Sequence, residues 1–254
     1  MSVHQQMLFV VKGIPPIVNT NLILHWDAGN PASYPGSGTT IEDLTSSNYE
    51  GTLNGPTYSS ADGGKFVHTE SSNHWINSSG TTASPASVGT SDFSAEVWVR
   101  ANNTNQQSWL WANRSNSTGS QFSIICGSPD VNGNVTLSKR FGGFIVNSNG
   151  TVFKSFETNS DYIDGNWKHV VFTRAGDVLK FYINGSEVAY TMVINVGSGT
   201  ADVSTSTTWR SGDNGAGNGL FALDGDTSIY RLYNKALTSD EVLQNFNAEK
   251  SRYG

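Results

Sequence analysis

The chain has a single cysteine, Cys126, in 254 residues. That excludes an intrachain disulfide and a zinc site built from several thiolates, so stability has to come from packing. Charge is scarce as well: Asp, Glu, Lys and Arg make up 14% of the chain, against roughly 25% in an average soluble domain. The balance is slightly acidic, 21 acidic against 15 basic residues and a formal net charge of -6. No basic field is available to hold phosphates through counterion release, which argues against nucleic acid as a partner. Long apolar runs are missing too. The run Met7 to Val11 ends at Lys12 and is too short for a membrane span or a signal-peptide core, so no export signal and no membrane insertion are expected. There is no Gly-x-Ser-x-Gly nucleophile elbow, and the 5 histidines are scattered singly, without the spacing of a metal motif. His25 and His169 read as packed structural residues.

Ser, Thr, Asn and Gly supply the polarity that charge does not, and they predict a neutral surface of hydroxyls and amides. The Asn-x-Ser/Thr triplets at Asn77, Asn113, Asn134 and Asn149 follow from that composition rather than marking glycosylation. Between the polar clusters lie short apolar runs. In "FSAEVWVR", Phe93, Ala95, Val97 and Val99 alternate with Ser94, Glu96, Trp98 and Arg100, the period of a strand. In "GNWKHVVFTRAGDVLKFYINGSEV", Gly165 to Val188, two β-rich runs flank Ala175-Gly176-Asp177, and Asn184-Gly185 follows as a two-residue turn signal. This predicts a three-strand meander. Many such strands with Gly and Asn turns, and no helical periodicity before residue 235, predict an all-β sandwich. Near the end, Thr238 and Glu241 have capping-box spacing, and Val242, Leu243 and Phe246 share a helical stripe, which predicts one short helix over Ser239–Ala248. Residues 1–18, with Pro15-Pro16, read as an N-terminal arm preceding a single domain over residues 19–254.

Five blocks carry a resemblance: "NLILHWDAGNPASYPGSGTT", "DLTSSNYEGTLNGPTYSS", "FSAEVWVRA", "GNWKHVVFTRAGDVLKFYINGSEV" and "LDGDTSIYRLYNKALTSDEVLQNF". In this order they resemble laminin G-like domains of the concanavalin A-like lectin/glucanase superfamily. The resemblance implies an all-β jelly-roll β-sandwich of two antiparallel sheets with a short C-terminal helix. The opening block and the ending "NFNAEKSRYG" resemble members encoded by tailed phages. That implies a non-enzymatic virion surface protein, a capsid decoration, fibre or tail-associated component. Its partners would be phage capsid or tail proteins and cell-surface glycans, it would form a homo-oligomer on the particle, and the arm would dock it there.

The superfamily includes glycoside hydrolases, which need two carboxylates flanking one bond. The strand most comparable to the hydrolase strand offers only Glu96, with Glu157 and Asp161 beyond another strand, so no catalytic residue is assigned. A glycoside hydrolase or lyase with an atypical site through Glu96 or Glu157 stands as one alternative, and a purely structural capsid or tail component as another. For sugar binding, an aromatic face with amides and carboxylates is the required chemistry. Trp209, followed by the Gly-rich "RSGDNGAGNG" with Asp213, Asn214 and Asn218, is the ligand loop expected from the sequence. Trp111 is a further groove residue to consider. No cofactor is expected. Calcium stays open, because Asp213, Asn214, Asp224 and Asp226 are close in sequence and calcium takes several such oxygens.

Overall fold

A computed structural model of the chain describes residues 15–69, 74–78, 87–102, 108–112, 121–127, 138–204, 209–212 and 222–254. Its strands in chain order are β1 (Leu22–Asp27), β2 (Thr40–Ile41), β3 (Gly51–Asn54), β4 (Thr57–Ser59), β5 (Lys65–His68), β6 (Trp75–Ser78), β7 (Phe93–Ala101), β8 (Ser108–Ala112) and β9 (Gln121–Cys126). They continue with β10 (Phe141–Val146), β11 (Phe153–Thr158), β12 (Lys168–Ala175), β13 (Val178–Ile183), β14 (Ser186–Glu187), β15 (Tyr190–Val196), β16 (Arg210–Ser211) and β17 (Gly225–Tyr233). The helix α1 spans Ser239–Glu249.

Among the described residues these strands form two antiparallel sheets. The first has 8 strands in the order β14-β13-β12-β7-β17-β5-β4, with β1 also on β17. β17 is long enough to pair with β5 through Gly225–Thr227 and with β1 through Ile229–Tyr233 along the same edge. The second sheet has 9 strands in the order β15-β11-β10-β9-β8-β16-β6-β3-β2. Period-two alternation sends one set of side chains from each sheet into a shared core. From β7 this set is Phe93, Ala95, Val97, Val99 and Ala101; opposite them stand Leu110, Trp111, Phe122 and Ile124.

The meander over residues 165–188 forms as the sequence predicts. Asn184 (φ 52°) and Gly185 (φ 79°) both hold positive φ in the turn from β13 to β14, the conformation for which Asn-Gly is favoured. Gly51 matters for a different reason: a Cβ there would lie 2.8 Å from the Trp26 ring, so its lack of a side chain admits the indole to the core.

Helix α1 is held at its start by the expected box, in which Thr238 Oγ1 accepts from the Glu241 N–H and Glu241 Oε2 accepts from the Thr238 N–H. Its buried face differs from the expected stripe. Val242 and Asn245 are buried, whereas Leu243 is 43% exposed. The helix lies across the outer face of the first sheet, where Val242 joins Val171, Tyr182, Tyr233, Leu237 and Val18 in a second apolar cluster. The described end of the expected arm, residues 15–18, belongs to this contact. Val18 N–H donates to Asn245 Oδ1 at 2.8 Å, and Gln244 Nε2 donates to Pro16 O at 2.6 Å.

Candidate functional site

Trp209, the aromatic expected to face a ligand, is fully buried. The two-residue strand that follows it, β16, pairs with both β6 and β8 and turns the indole into the space between the sheets. There it stacks between Trp26 and Trp111, with ring centroids 4.7 and 4.2 Å away and Tyr230 against the group. Trp111 is equally buried, so neither ring presents a face to a ligand; both belong to the core. Asp213, Asn214 and Asn218 lie outside the described residues. Of the expected calcium oxygens, Asp226 is engaged by cations: Arg100 Nε donates to it at 2.8 Å and Lys65 Nζ stands 3.4 Å away. Asp224 offers its backbone oxygen to the Asn102 N–H. Among the described residues no three His, Cys, Asp or Glu side chains gather as a metal site.

A cavity opens where the edges of the two sheets part. It has a volume of about 430 Å³, within the range of roughly 300–1,000 Å³ typical of small-molecule sites. The first sheet contributes Val178 and Leu179 of β13 and Asp177 of the preceding turn; the second contributes Lys154 of β11 and Tyr190, Met192 and Asn195 of β15. The loop Gly197-Ser198-Gly199 closes it. Lys154 is positioned from its own sheet, its ammonium donating to Gly197 O at 2.6 Å and to Asn195 Oδ1. Tyr190 ties the two sheets together by donating its hydroxyl to Leu179 O at 2.9 Å, while its ring packs on Phe156. Burial, and then the charge of Glu187, raises the Tyr190 phenol, so it stays a neutral donor at physiological pH. Behind the groove Arg174 donates to the carbonyls of Gly89, Ser91 and Ala201 and fixes the loops that carry them. An ammonium, a carboxylate, an amide and a tyrosine edge around one opening can recognise a molecule rich in hydroxyls.

A family model described as the concanavalin A-like lectin/glucanases superfamily, Laminin_G_3, matches residues 76–243. The chain belongs to this family. No curated protein matches its sequence. Among solved structures, domain 4 of a GH43 extracellular arabinanase from Geobacillus stearothermophilus, determined in complex with arabinotriose, aligns at a TM-score of 0.61 and 18% identity, covering 89% of this chain and 98% of that one. The binding domain of Paraclostridial Mosquitocidal Protein 1 aligns at 0.60 and 16% identity over 90% of this chain and 52% of that one. The binding domain of botulinum neurotoxin serotype D aligns at 0.61 and 14% identity, over 89% and 50%. This chain thus spans about half the length of the toxin domains, and these likenesses establish a shared fold.

Within this laminin G-like domain the carboxylates weighed for hydrolysis stand apart. Glu96 projects from the outer face of the first sheet, since its neighbours Ala95 and Val97 fill the core. Glu157 projects from the outer face of the second, since Phe156 fills the core, and it is paired with Arg140 at 2.7 Å. With the thickness of the sandwich between them, roughly 10 Å from sheet to sheet, they cannot flank one bond. Glu96 is instead the centre of a buried network under α1. Arg231 Nη1 donates to it at 2.5 Å, Asn245 Nδ2 at 2.7 Å, and His169 Nε2 stands 3.1 Å away. Arg231 also holds Glu249, which accepts from Trp98 Nε1 at 3.0 Å. Burial alone would raise the Glu96 carboxyl; the Arg231 charge, then His169 and Asn245, outweigh it and hold the group at about 2. His169 is therefore structural, as its place on a strand suggests.

A second cavity, of about 360 Å³, lies beside this network and is walled by Trp98, Trp167, Phe246 and Tyr253, with Asn184, Lys250 and Ser251 supplying polar groups. Neither cavity is visible from local sequence. Lys154 and Asp177 sit on different sheets, and no spacing rule brings them together. The readable signals were the turn at Asp177 and the aromatic at Trp167, each of which equally marks an ordinary strand end.

Proposed function

We propose that this domain is a non-catalytic glycan-binding module and that the groove between Asp177 and Lys154 takes the sugar. The observation carrying the reading is that groove itself: both sheets contribute hydroxyl-binding groups to one opening, while the candidate catalytic carboxylates face opposite ways. Family membership supports it, and the arabinotriose complex of the arabinanase domain shows the same fold serving a sugar in another protein. The module acts on a phage particle, as the resemblance to tailed-phage proteins suggests. There it is attached to capsid or tail proteins through the N-terminal arm, is present in several copies, and engages cell-surface glycans.

The test is a glycan array probed with the whole chain, with calcium and with EDTA, and with Lys154→Ala and Asp177→Ala variants. Selective binding weakened by roughly tenfold in each variant is expected, as for removal of one charge-assisted hydrogen bond. Binding that survives both replacements moves the site elsewhere, and a negative array in both conditions overturns the glycan reading. Absence of the protein from purified particles overturns the virion role separately.

A further inference from the structure

We propose that β15, the outermost strand of the second sheet, pairs with β15 of a second copy of this chain and joins two domains across a two-fold axis. The sheet edges come first. The row of backbone N–H and C=O groups along an open edge is a template for another strand, so edges are kept short, charged or covered. Three of the terminal strands are short: β14 has 2 residues, β4 has 3 and β2 has 2. β1, also at an edge, is covered by the chain after β2, where Asp43 Oδ1 accepts the His25 N–H at 2.9 Å and the Leu44 N–H donates to His25 O at 2.9 Å. β15 has neither protection. It runs for 7 residues, Tyr190–Val196, without a charge or a proline. Among the described residues β11 is its only strand partner, and no other group bonds its main chain.

Apolar exposure falls at the same corner. Val178, Val193, Val196 and Leu243 are the large hydrophobic side chains exposed among the described residues. Two of them are on β15, and Val178 lies across the groove from it. Val193 is an extra residue in the ladder, since Ser155 stands opposite Ile194 and Phe156 opposite Met192. Such a bulge can twist an edge away from a partner; here it carries a bare isopropyl group, 42% exposed, rather than a charge. A second copy is the occupant that fits. A strand turned about a two-fold axis runs antiparallel to its own image, and a strand without charge meets that image without repulsion. A register centred on Val193 then sets that side chain against its own copy and removes apolar surface from water.

The pairing makes concrete the several copies of the proposed function and rests on that part of it alone. Tyr190, Met192 and Asn195 of β15 also line the groove, so the dimer carries two grooves beside one axis, and a surface bearing many glycans can engage both at once. The experiment is sedimentation velocity of the whole chain over a dilution series, without glycan or particle, so failure here and failure of the sugar reading are distinguishable. A dimer is expected at about 100 µM that dissociates on dilution towards about 1 µM, the weak end for an interface of limited area. Val193→Lys should leave a monomer at every concentration, with an unchanged melting temperature because the position is exposed. Leu243→Lys, equally exposed on α1, should remain dimeric. Cys126 is buried, so in the Val193→Cys variant a short bismaleimide reads the new thiol alone and should join two chains, while Leu243→Cys should stay single. A native chain that is monomeric throughout leaves the edge to a partner of another kind and overturns the proposal. So does a dimer that survives Val193→Lys, one that Leu243→Lys dissociates, or a Val193→Cys variant that does not cross-link.

Discussion

Strand β7 is buried on both sides, by two different kinds of chemistry. Its inward residues Phe93, Ala95, Val97 and Val99 meet the other sheet in a core of rings and aliphatic chains, with the Trp26–Trp209–Trp111 stack nearby. Its outward residues Ser94, Glu96 and Trp98 are covered by α1 and the chain around it through hydrogen bonds and ion pairs: Ser94 to the Leu237 N–H, Glu96 to Arg231 and Asn245, Trp98 to Glu249. The inner seam is held by burial and dispersion, which are non-directional and insensitive to pH. The outer seam is directional, and its charges are tolerable only because each has a partner. The difference explains how a strand with a polar alternate face can sit at the centre of a sheet covered on both sides.

The largest effects come from disrupting each seam. Trp209→Ala should cost about 3–5 kcal/mol, the usual range for emptying a buried aromatic site, and urea unfolding should show the same loss at pH 7 and at pH 4. Glu96→Ala should also cost about 3–5 kcal/mol at pH 7, because it strands the Arg231 charge in the interior. Here the loss is pH-dependent. The folded carboxyl, at about 2, lies below its ordinary 4.5, so the stability it confers is complete above about 4.5 and disappears as pH falls towards 2. A Glu96→Ala penalty that stayed constant down to pH 2 would remove the distinction between the two seams.

A smaller effect comes from the inner side. His68 is buried and offers Nε2 to the Thr227 hydroxyl at 3.0 Å; burial, then the neighbouring His74, pulls it down from 6.5 to about 3. The unfolded chain therefore binds a proton that the folded one refuses between those values, and stability declines as pH falls from 6.5 towards 3. A His68→Leu variant should reduce that slope, leaving the share due to His25, which burial pulls down to about 2, and the lower one due to Glu96, checked by melting temperature against pH. Smallest are the changes at the helix itself. Thr238→Ala removes the cap and should cost about 1 kcal/mol, and Leu243→Ala, at an exposed position, should stay within about 0.5 kcal/mol, both read by urea unfolding.

Much of the fold was legible because its signals are local. The Asn184-Gly185 turn, the alternation of "FSAEVWVR" and the Thr238–Glu241 box each act within a few residues, and each is found where the pattern places it. The site was not legible in the same way. Trp209 before a Gly-rich segment reads as a loop aromatic, yet β16 is only 2 residues long and its two neighbours, β6 and β8, come from far earlier in the chain. Their pairing, which no local rule contains, turned the ring inward. Likewise the stripe Val242, Leu243 and Phe246 identified a helix, but the choice of Asn245 over Leu243 for its buried side came from Glu96 and Tyr233 waiting on the sheet.

By itself, then, the sequence determined a disulfide-free, weakly charged chain of short strands with one capped helix, because composition, period and turn chemistry are properties of neighbouring residues. Tertiary structure alone decided which face of each strand is covered and by what: it drew Trp209 into the core, set Glu96 against Arg231 under the helix, and brought Lys154 and Asp177 to one opening. Those encounters depend on how two sheets and a helix pack, and a period-two pattern says only which side chains share a face, never which distant element that face will meet.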